Sequence, residues 1–256
     1  MIKKPQAAAT CYELLPGIDA LPPGVLHIRA SGTLVAADVH FAYEDVIGGA
    51  LPLWSTEDIV TALTLAAQRS DARELVLLGD VVHGAFMSEG AANVVREALN
   101  TLAQFLELII VAGNHEGRTR AKAVLGDSVE ALERDGWHLM HGDRAPRAGT
   151  RSIIGHLHPS LHMGGHAAVP AFLASDRVIV LPALTPYSSG LSVCSDDLLT
   201  ALEPWDVQSR DLCVVAAEFD RVYPFGSLSA LKSLLHSPRP KPRDGFRRKF
   251  LRPDVH

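Results

Sequence analysis

No uninterrupted apolar run in this 256-residue chain approaches the ~20 residues that a membrane-spanning helix needs, although 47% of its residues are hydrophobic. Cysteine is scarce. Cys11, Cys194 and Cys213 are odd in number, scattered and without Cys-x-x-Cys spacing, which argues against a disulfide framework. Internal repeats are not evident. The N-terminus opens Met1-Ile2-Lys3-Lys4, but Pro5, Gln6, Glu13 and Asp19 interrupt the apolar segment that a signal peptide requires. The expectation is a cytoplasmic protein with no membrane partner. A broadly basic body, the usual mark of a nucleic-acid surface, is also lacking. The formal charge is −5, yet residues 236–256 carry seven Lys/Arg against two Asp, leaving about −10 on the rest.

What is present is an alternation of strand and helix signals. Strands are expected at Thr33–Ala37, Glu74–Leu78, Leu106–Ala112, Trp137–Met140 and Ser152–Ile154. Between them, helical periodicity covers Ser55–Arg69, with Ser55 as N-cap and Asp58 as the capping-box acid, then Glu89–Phe105 and Thr119–Arg134. This βαβαβ order predicts a sheet whose first strands are parallel. After residue 170 the character turns to β, over Arg177–Leu181 and Asp211–Phe219, with a short helix near Ser227–Leu235. A second sheet packed on the first accounts for that change. Residues 1–236 are read as one domain. The 237–256 segment, Pro-rich and basic, is read as an extended appendage.

Five motifs sit just after strand ends: Asp38-Val39-His40, Gly79-Asp80-Val81-Val82-His83, Gly113-Asn114-His115-Glu116, His141-Gly142-Asp143 and Gly155-His156-Leu157-His158. Open α/β sheets place their ligand crevice at such ends, so residues distant in sequence can converge there. Hard carboxylate and amide oxygens alternate with imidazole nitrogens, a mixture suited to two adjacent divalent ions of intermediate hardness. Paired ions of this kind are a standard device for hydrolysing phosphate esters. Glycines 79, 113 and 155 permit sharp turns and close approach.

The five motifs resemble those of the calcineurin-like metallophosphoesterase superfamily, over roughly Thr33–His158. The resemblance implies a four-layer αββα sandwich of two mixed sheets and two divalent ions, manganese favoured over iron, cobalt, nickel or zinc. It implies that Asp38, His40 and His158 hold one ion and that Asn114, His141 and His156 hold the other, with Asp80 between them. A metal-bridging hydroxide then attacks phosphorus while His115 protonates the leaving oxygen, oriented by Glu116. His83, where many members have Asp or Asn, resembles the assisting histidine of SbcD-type DNA repair nucleases. Ala37–Glu44 and Leu181-Pro182-Ala183 are similar to segments of small SbcD-related phosphoesterases, including the ligase-associated DNA damage response group called PdeM.

By that resemblance the substrate is a phosphodiester, nucleic acid included. Pairing into a homodimer and association with a repair ligase and helicase also belong to what it implies. Two other readings stand beside it: a phosphomonoesterase on the same centre, and a catalytically silent scaffold. Outside the motifs, His162 and His166 are expected at the crevice rim, and His27 and His138 as ordinary sheet residues. Arg118, Arg120, Arg144 and Arg147 follow motifs closely, and two readings stand for each of them, a contact to phosphate and exposed solubilising charge.

Overall fold

The computed structural model describes residues 9–48, 51–84, 86–115, 120–163 and 167–236. Glu116, His166, Arg118 and the 237–256 segment lie outside them.

Three short antiparallel strands, β1 (Tyr12–Leu15), β2 (Ile18–Leu21) and β3 (Val25–Ile28), lead into β4 (Thr33–Ala37). From there α1 (Tyr43–Ile47) and α2 (Trp54–Ser70) cross to β5 (Glu74–Leu78), and α3 (Glu89–Ala103) crosses to β6 (Glu107–Val111). These six strands form one sheet in chain order. As expected, β4, β5 and β6 are mutually parallel. Their register sets Ala37 beside Leu78 and Leu78 beside Val111. The loops that follow the three strands therefore leave from one edge.

Beyond α4 (Arg120–Leu125), the second sheet is built from β7 (Ala131–Arg134), β8 (Trp137–Met140), β9 (Ser152–Ile154), β10 (Pro159–Leu161), β11 (Val169–Ala174), β12 (Val178–Val180) and β13 (Leu191–Ser192). After α5 (Asp196–Ala201), β14 (Cys213–Ala217) adds to β11 and β15 (Val222–Ser227) adds to β14, before α6 (Leu228–His236). This sheet is mixed as well, with β8, β9 and β12 parallel and β11, β14 and β15 antiparallel.

Because side chains alternate across a strand, each strand buried on both faces feeds two cores. Leu34, Ala36, Leu75 and Leu77 join Ile59, Leu63, Val95 and Leu102 under α2 and α3. Their neighbours Val35, Ala37, Val76 and Leu78 face Ile153, Phe172, Ile179 and Val215 of the second sheet. On the far side, Ile154, Leu173, Val180 and Val214 pack with Leu198 of α5 and with Leu228 and Leu231 of α6. Three apolar interfaces thus separate four layers, in the order helix, sheet, sheet, helix. This explains why the strands read as continuous apolar runs.

Two local expectations are overturned. Residues 119–134 are not one helix: α4 stops at Leu125, Gly126 takes a positive φ of 75°, and Ala131–Arg134 pairs with β8. The need to cover the edge of β8 outweighs helical periodicity there. Ser55 is not an N-cap either. Helix α2 begins one residue earlier behind Leu53, without a side-chain cap, and Ser55 is buried, its N–H donating to Glu44 Oε1 at 2.9 Å. The carboxylate of Glu44 takes the place of a capping side chain. Ser88 does cap α3, accepting from the Ala91 N–H at 3.1 Å.

At the edge away from the motifs, Glu74 of β5 joins the sheets. Arg134 of β7 donates Nε–H to Glu74 Oε1 at 2.8 Å, its Nη2 donates to Oε2, and Thr33 donates its hydroxyl to Oε1 at 2.7 Å. The Arg134 guanidinium and the Thr33 hydroxyl hold the Glu74 carboxyl below its ordinary value, against the opposing effect of burial. A carboxyl with a depressed folded-state pKa contributes stability that is present above its unfolded pKa and is lost as pH falls through the folded value. Glu74→Gln is therefore expected to cost about 1–3 kcal/mol at pH 7. The gap in Tm between wild type and variant should close below pH 4 in thermal denaturation, and a constant gap would contradict this role.

Candidate metal centre

The loops after β4, β5 and β9 turn with unusual backbones. Among the described residues, nine that are not glycine have positive φ, and five are motif residues: Asp38 (52°), His40 (43°), Asp80 (45°), His156 (62°) and His158 (44°). Such conformations cost of order 1–3 kcal/mol each and persist only where the surroundings enforce them. Here the loops brace one another. Asp38 Oδ2 accepts the His156 N–H at 2.8 Å, Asp80 Oδ1 accepts the His115 N–H at 3.0 Å, and the Asp80 carbonyl accepts the His40 N–H at 3.1 Å. The Leu184 N–H donates to the Ala37 carbonyl at 3.0 Å, tying the 183–185 segment to the end of β4.

Two glycines make this proximity feasible without any positive φ. A Cβ on Gly113 would stand 2.2 Å from Asp80 Oδ1, and one on Gly155 would stand 2.5 Å from Asp38 Oδ2. The backbone of the third motif fills the space beside the carboxylate of the second, and that of the fifth fills the space beside the carboxylate of the first.

The result is two compact groups. Asp38, His40 and His158 form one, and Asp80, His141 and His156 form the other, with the ligating atoms of each group within 4.8 Å of one another. Asn114 joins the second group, its Oδ1 2.9 Å from His141 Nε2. That same nitrogen lies 3.2 Å from His156 Nδ1 and 3.5 Å from Asp80 Oδ2. The groups are contiguous, since His141 Nδ1 is 3.9 Å from Asp38 Oδ1.

The donor set suits cations. Around His141 Nε2 three lone-pair atoms converge, and one N–H can serve only one of them. His141 Nδ1 lies 3.3 Å from the Leu78 carbonyl. Donation there assigns the proton to Nδ1 and leaves the Nε2 lone pair facing the group. His158 follows the same logic: its Nδ1 is 2.8 Å from Ser188 Oγ, and its Nε2 faces Asp38 Oδ1 at 3.1 Å. That contact lacks hydrogen-bond geometry, so Asp38 Oδ1 is buried without a partner. A fully buried carboxylate oxygen without a donor calls for a cation.

The protonation of His40 and His156 agrees with this, while His158, in the absence of a cation, is drawn toward its protonated form by Asp38. Burial drives His40 down to about 3, despite the pull of Asp38, so its imidazole is neutral at pH 7. Burial, then His141, also lowers His156. Burial opposes ionisation of Asp38, but His158, His141 and the His156 N–H hold its carboxyl below the ordinary range. His158 moves up: burial works against the proton and is outweighed by Asp38.

His115 and His83 stand beside the two groups without belonging to either. The His115 side chain is 40% exposed, with Nε2 3.8 Å from Asp80 Oδ2. Its ring stacks on His83 at 4.4 Å and 26°. His83 Nδ1 is 3.3 Å from His40 Nδ1, and burial followed by His115 lowers the His83 pKa. His162 bonds Ser160 Oγ at 2.9 Å. Sequence reasoning did not find Ser188 or Tyr187, which stand about 30 residues past the last motif and match no pattern.

Residues 33–197, well over half the chain, match the calcineurin-like phosphoesterase family. The chain belongs to that family. As a family member it is a phosphoesterase, and its two Asp/His groups are typical of a dimetal phosphoesterase. No curated protein matches it in sequence. Among solved structures, the nuclease MPE of Pseudomonas putida is similar over 86% of this chain and 100% of its own, at 19% identity and a TM-score of 0.64. That likeness is one of fold and extends to both sheets. The phosphoesterase Yfce of E. coli is similar over 60% of this chain and 80% of its own, with 20% identity and a TM-score of 0.36. Among the described residues, no helix is long and apolar enough to cross a membrane.

Removing the partner that orients a metal-ligating histidine typically weakens metal binding roughly 10–100-fold. Ser188→Ala is expected to do this with little change in Tm, as read by metal titration and thermal denaturation. Gly113→Ala is expected to displace Asp80 and lower bound metal more severely. Unaltered metal content in both variants would contradict the geometry described.

Proposed function

We propose that this phosphoesterase is a dinuclear-metal phosphodiesterase of the SbcD-related, PdeM-like kind, acting on nucleic acid. The observation that carries the proposal is the contiguity of the two ligand groups, with His115 beside them and ligating in neither. In this reading Asp38, His40 and His158 hold one divalent ion, while Asn114, His141 and His156 hold the other. Asp80 is shared, its carboxylate having lone pairs for both. Manganese is the favoured ion, and the same donor set accepts iron, cobalt, nickel or zinc. When bound, the pair supplies Lewis acidity toward a phosphoryl oxygen and makes water acidic enough to react at neutral pH.

The chain's own groups do the rest. Asp38 and Asp80, buried and braced by backbone N–H groups, keep the ligands in place before substrate arrives, so reorganisation during reaction is small. His115, partly exposed and with Nε2 3.8 Å from Asp80 Oδ2, is assigned the proton that the leaving oxygen takes. His83 stacks on that ring and fixes its plane; its neutral imidazole, in place of an acid, adds no negative charge near an anionic diester. Glu116 is assigned the orienting of His115 by resemblance alone. The nuclease activity named for the Pseudomonas putida neighbour favours nucleic acid as the substrate.

Purified protein supplied with Mn²⁺ is expected to hydrolyse bis-p-nitrophenyl phosphate faster than p-nitrophenyl phosphate, and EDTA should stop the reaction. The reverse preference would make it a monoesterase. Inactivity with all five metals would overturn the enzyme reading. His115→Ala should lower kcat roughly 10²–10⁴-fold with metal content retained, whereas Asp80→Asn should lose both. Equal metal loss in the two variants would remove His115 from its assigned role.

A further inference from the structure

Aromatic residues make up only 6% of the chain, yet several are left in the open on one side of the metal centre. Among the described residues five exposed aromatics occur: Trp54, Phe86, Phe105, Tyr187 and Phe219. Three of them, Trp54 (70% exposed), Phe86 (82%) and Tyr187 (43%), are gathered by α1. The buried Glu44 carboxylate is the node. Its Oε1 accepts the Ser55 N–H at 2.9 Å, fixing the start of α2 and with it Trp54, and accepts the Tyr187 hydroxyl at 3.1 Å. Next along α1, Asp45 Oδ2 accepts the Ser88 N–H at 2.8 Å and holds the segment bearing Phe86.

A continuous series of rings joins this rim to the centre. His115 stacks on His83, His83 meets Tyr43 edge-on at 4.8 Å, and Tyr43 stacks on Tyr187 at 5.2 Å and 21°. Tyr43 also meets His40 edge-on at 5.9 Å. Tyr187 is therefore backed on one face, anchored at its hydroxyl and exposed elsewhere. An aromatic ring held this way loses little freedom when another ring stacks on it.

Charge narrows the choice of occupant. The described stretches that meet at the rim, 41–48, 51–58, 83–84, 86–95 and 181–193, contain no Lys or Arg. A strand lying on these stretches meets no cationic side chain of theirs, so at the rim, as distinct from the metal centre, its bases supply the affinity. The geometry points to a base-stacking platform: Tyr187, backed by Tyr43, stacks on an unpaired nucleobase next to the bond that is cut. Trp54 and Phe86 extend the surface to neighbouring bases. Bases within a duplex have both faces covered, so the platform selects single strands. The assignment of the cut bond rests on the diesterase reading above; the binding does not.

The test uses the Mn²⁺-loaded full chain with a single-stranded oligonucleotide and with the same strand made abasic. Base–aromatic stacking lost on truncation to alanine corresponds to about 5- to 150-fold. Tyr187→Ala should raise KM for the normal strand by that factor. Its kcat, and its cleavage of the abasic strand, should stay within about twofold of wild type. Tyr187→Phe, which keeps the ring and its stacking on Tyr43 but loses the bond to Glu44, should stay much nearer to wild type than Tyr187→Ala. Binding without turnover is read by fluorescence anisotropy in the Mn²⁺-loaded His115→Ala background, with and without Tyr187→Ala, and the part of it that Tyr187→Ala removes should depend only weakly on salt.

Cleavage of both strands that Tyr187→Ala lowers equally, or not at all, overturns the platform. So does a change in sedimentation with KM unaltered, which would make the rim a self-association face. Base-dependent binding by a protein that cleaves no diester would leave the platform standing and remove the diesterase reading. Should Tyr187→Ala fail to fold, the exposed Trp54→Ala and Phe86→Ala carry the same expectation, with a severalfold rise in KM for the normal strand alone.

Discussion

Asp38 sits where the two sheets meet, and its two oxygens have different tasks. Oδ2 takes the N–H of His156, at the end of the second sheet, while Oδ1 faces His158 and His141 without a proper donor. One side chain of the first sheet thus fixes the loop of the second and presents an unsatisfied anion to the space between them. Asp80 does the equivalent within the first sheet, holding the His115 N–H while facing His141. With the bonds of the His40 N–H to the Asp80 carbonyl and of the Leu184 N–H to the Ala37 carbonyl, these two hold the left-handed turns in place. The apolar layer between the sheets sets their distance, but it has no means of choosing which loop residues point inward.

Much of this was legible in the sequence because its cause is local. A strand buried on both faces must read as an apolar run, and a carboxylate or imidazole immediately after it must lie at the sheet edge. Hence Thr33–Ala37, Glu74–Leu78 and the motifs behind them could be placed, and the structure brings Asp38, His40, Asp80, Asn114, His141, His156 and His158 together. The β1–β3 meander was missed because its four-residue strands are shorter than any period, and Pro16-Gly17 and Pro22-Pro23-Gly24 read only as turns. The 119–134 segment misled because Leu132 and Arg134 fit a helix until pairing with β8 decides otherwise. Ser188 and Tyr187 were illegible for a different reason. Their importance comes only from which distant side chain they meet.

The centre and its rim follow opposite physical rules. In the centre, polar atoms are buried, outnumber their protons and are held against strained backbones. At the rim, apolar rings are exposed and held by ordinary hydrogen bonds to Glu44 and Asp45. The first arrangement is general to the family's chemistry. The second takes only Glu44 from a family-like segment and its exposed rings from elsewhere, and it is there that recognition of a particular substrate can be written without disturbing the ligands.

Because the ligands come from loops of both sheets, a cation held among them is bound only by the native docking of one sheet on the other. The unfolded chain, with its histidines scattered over more than a hundred residues, offers no comparable grip. Free metal at a hundred times its Kd then adds about 2.7 kcal/mol to the folded state, a sizeable share of what a domain ordinarily possesses. Cellular metal supply would therefore govern how long the folded molecule lasts as well as how fast it turns over, and a starved cell would clear the protein sooner.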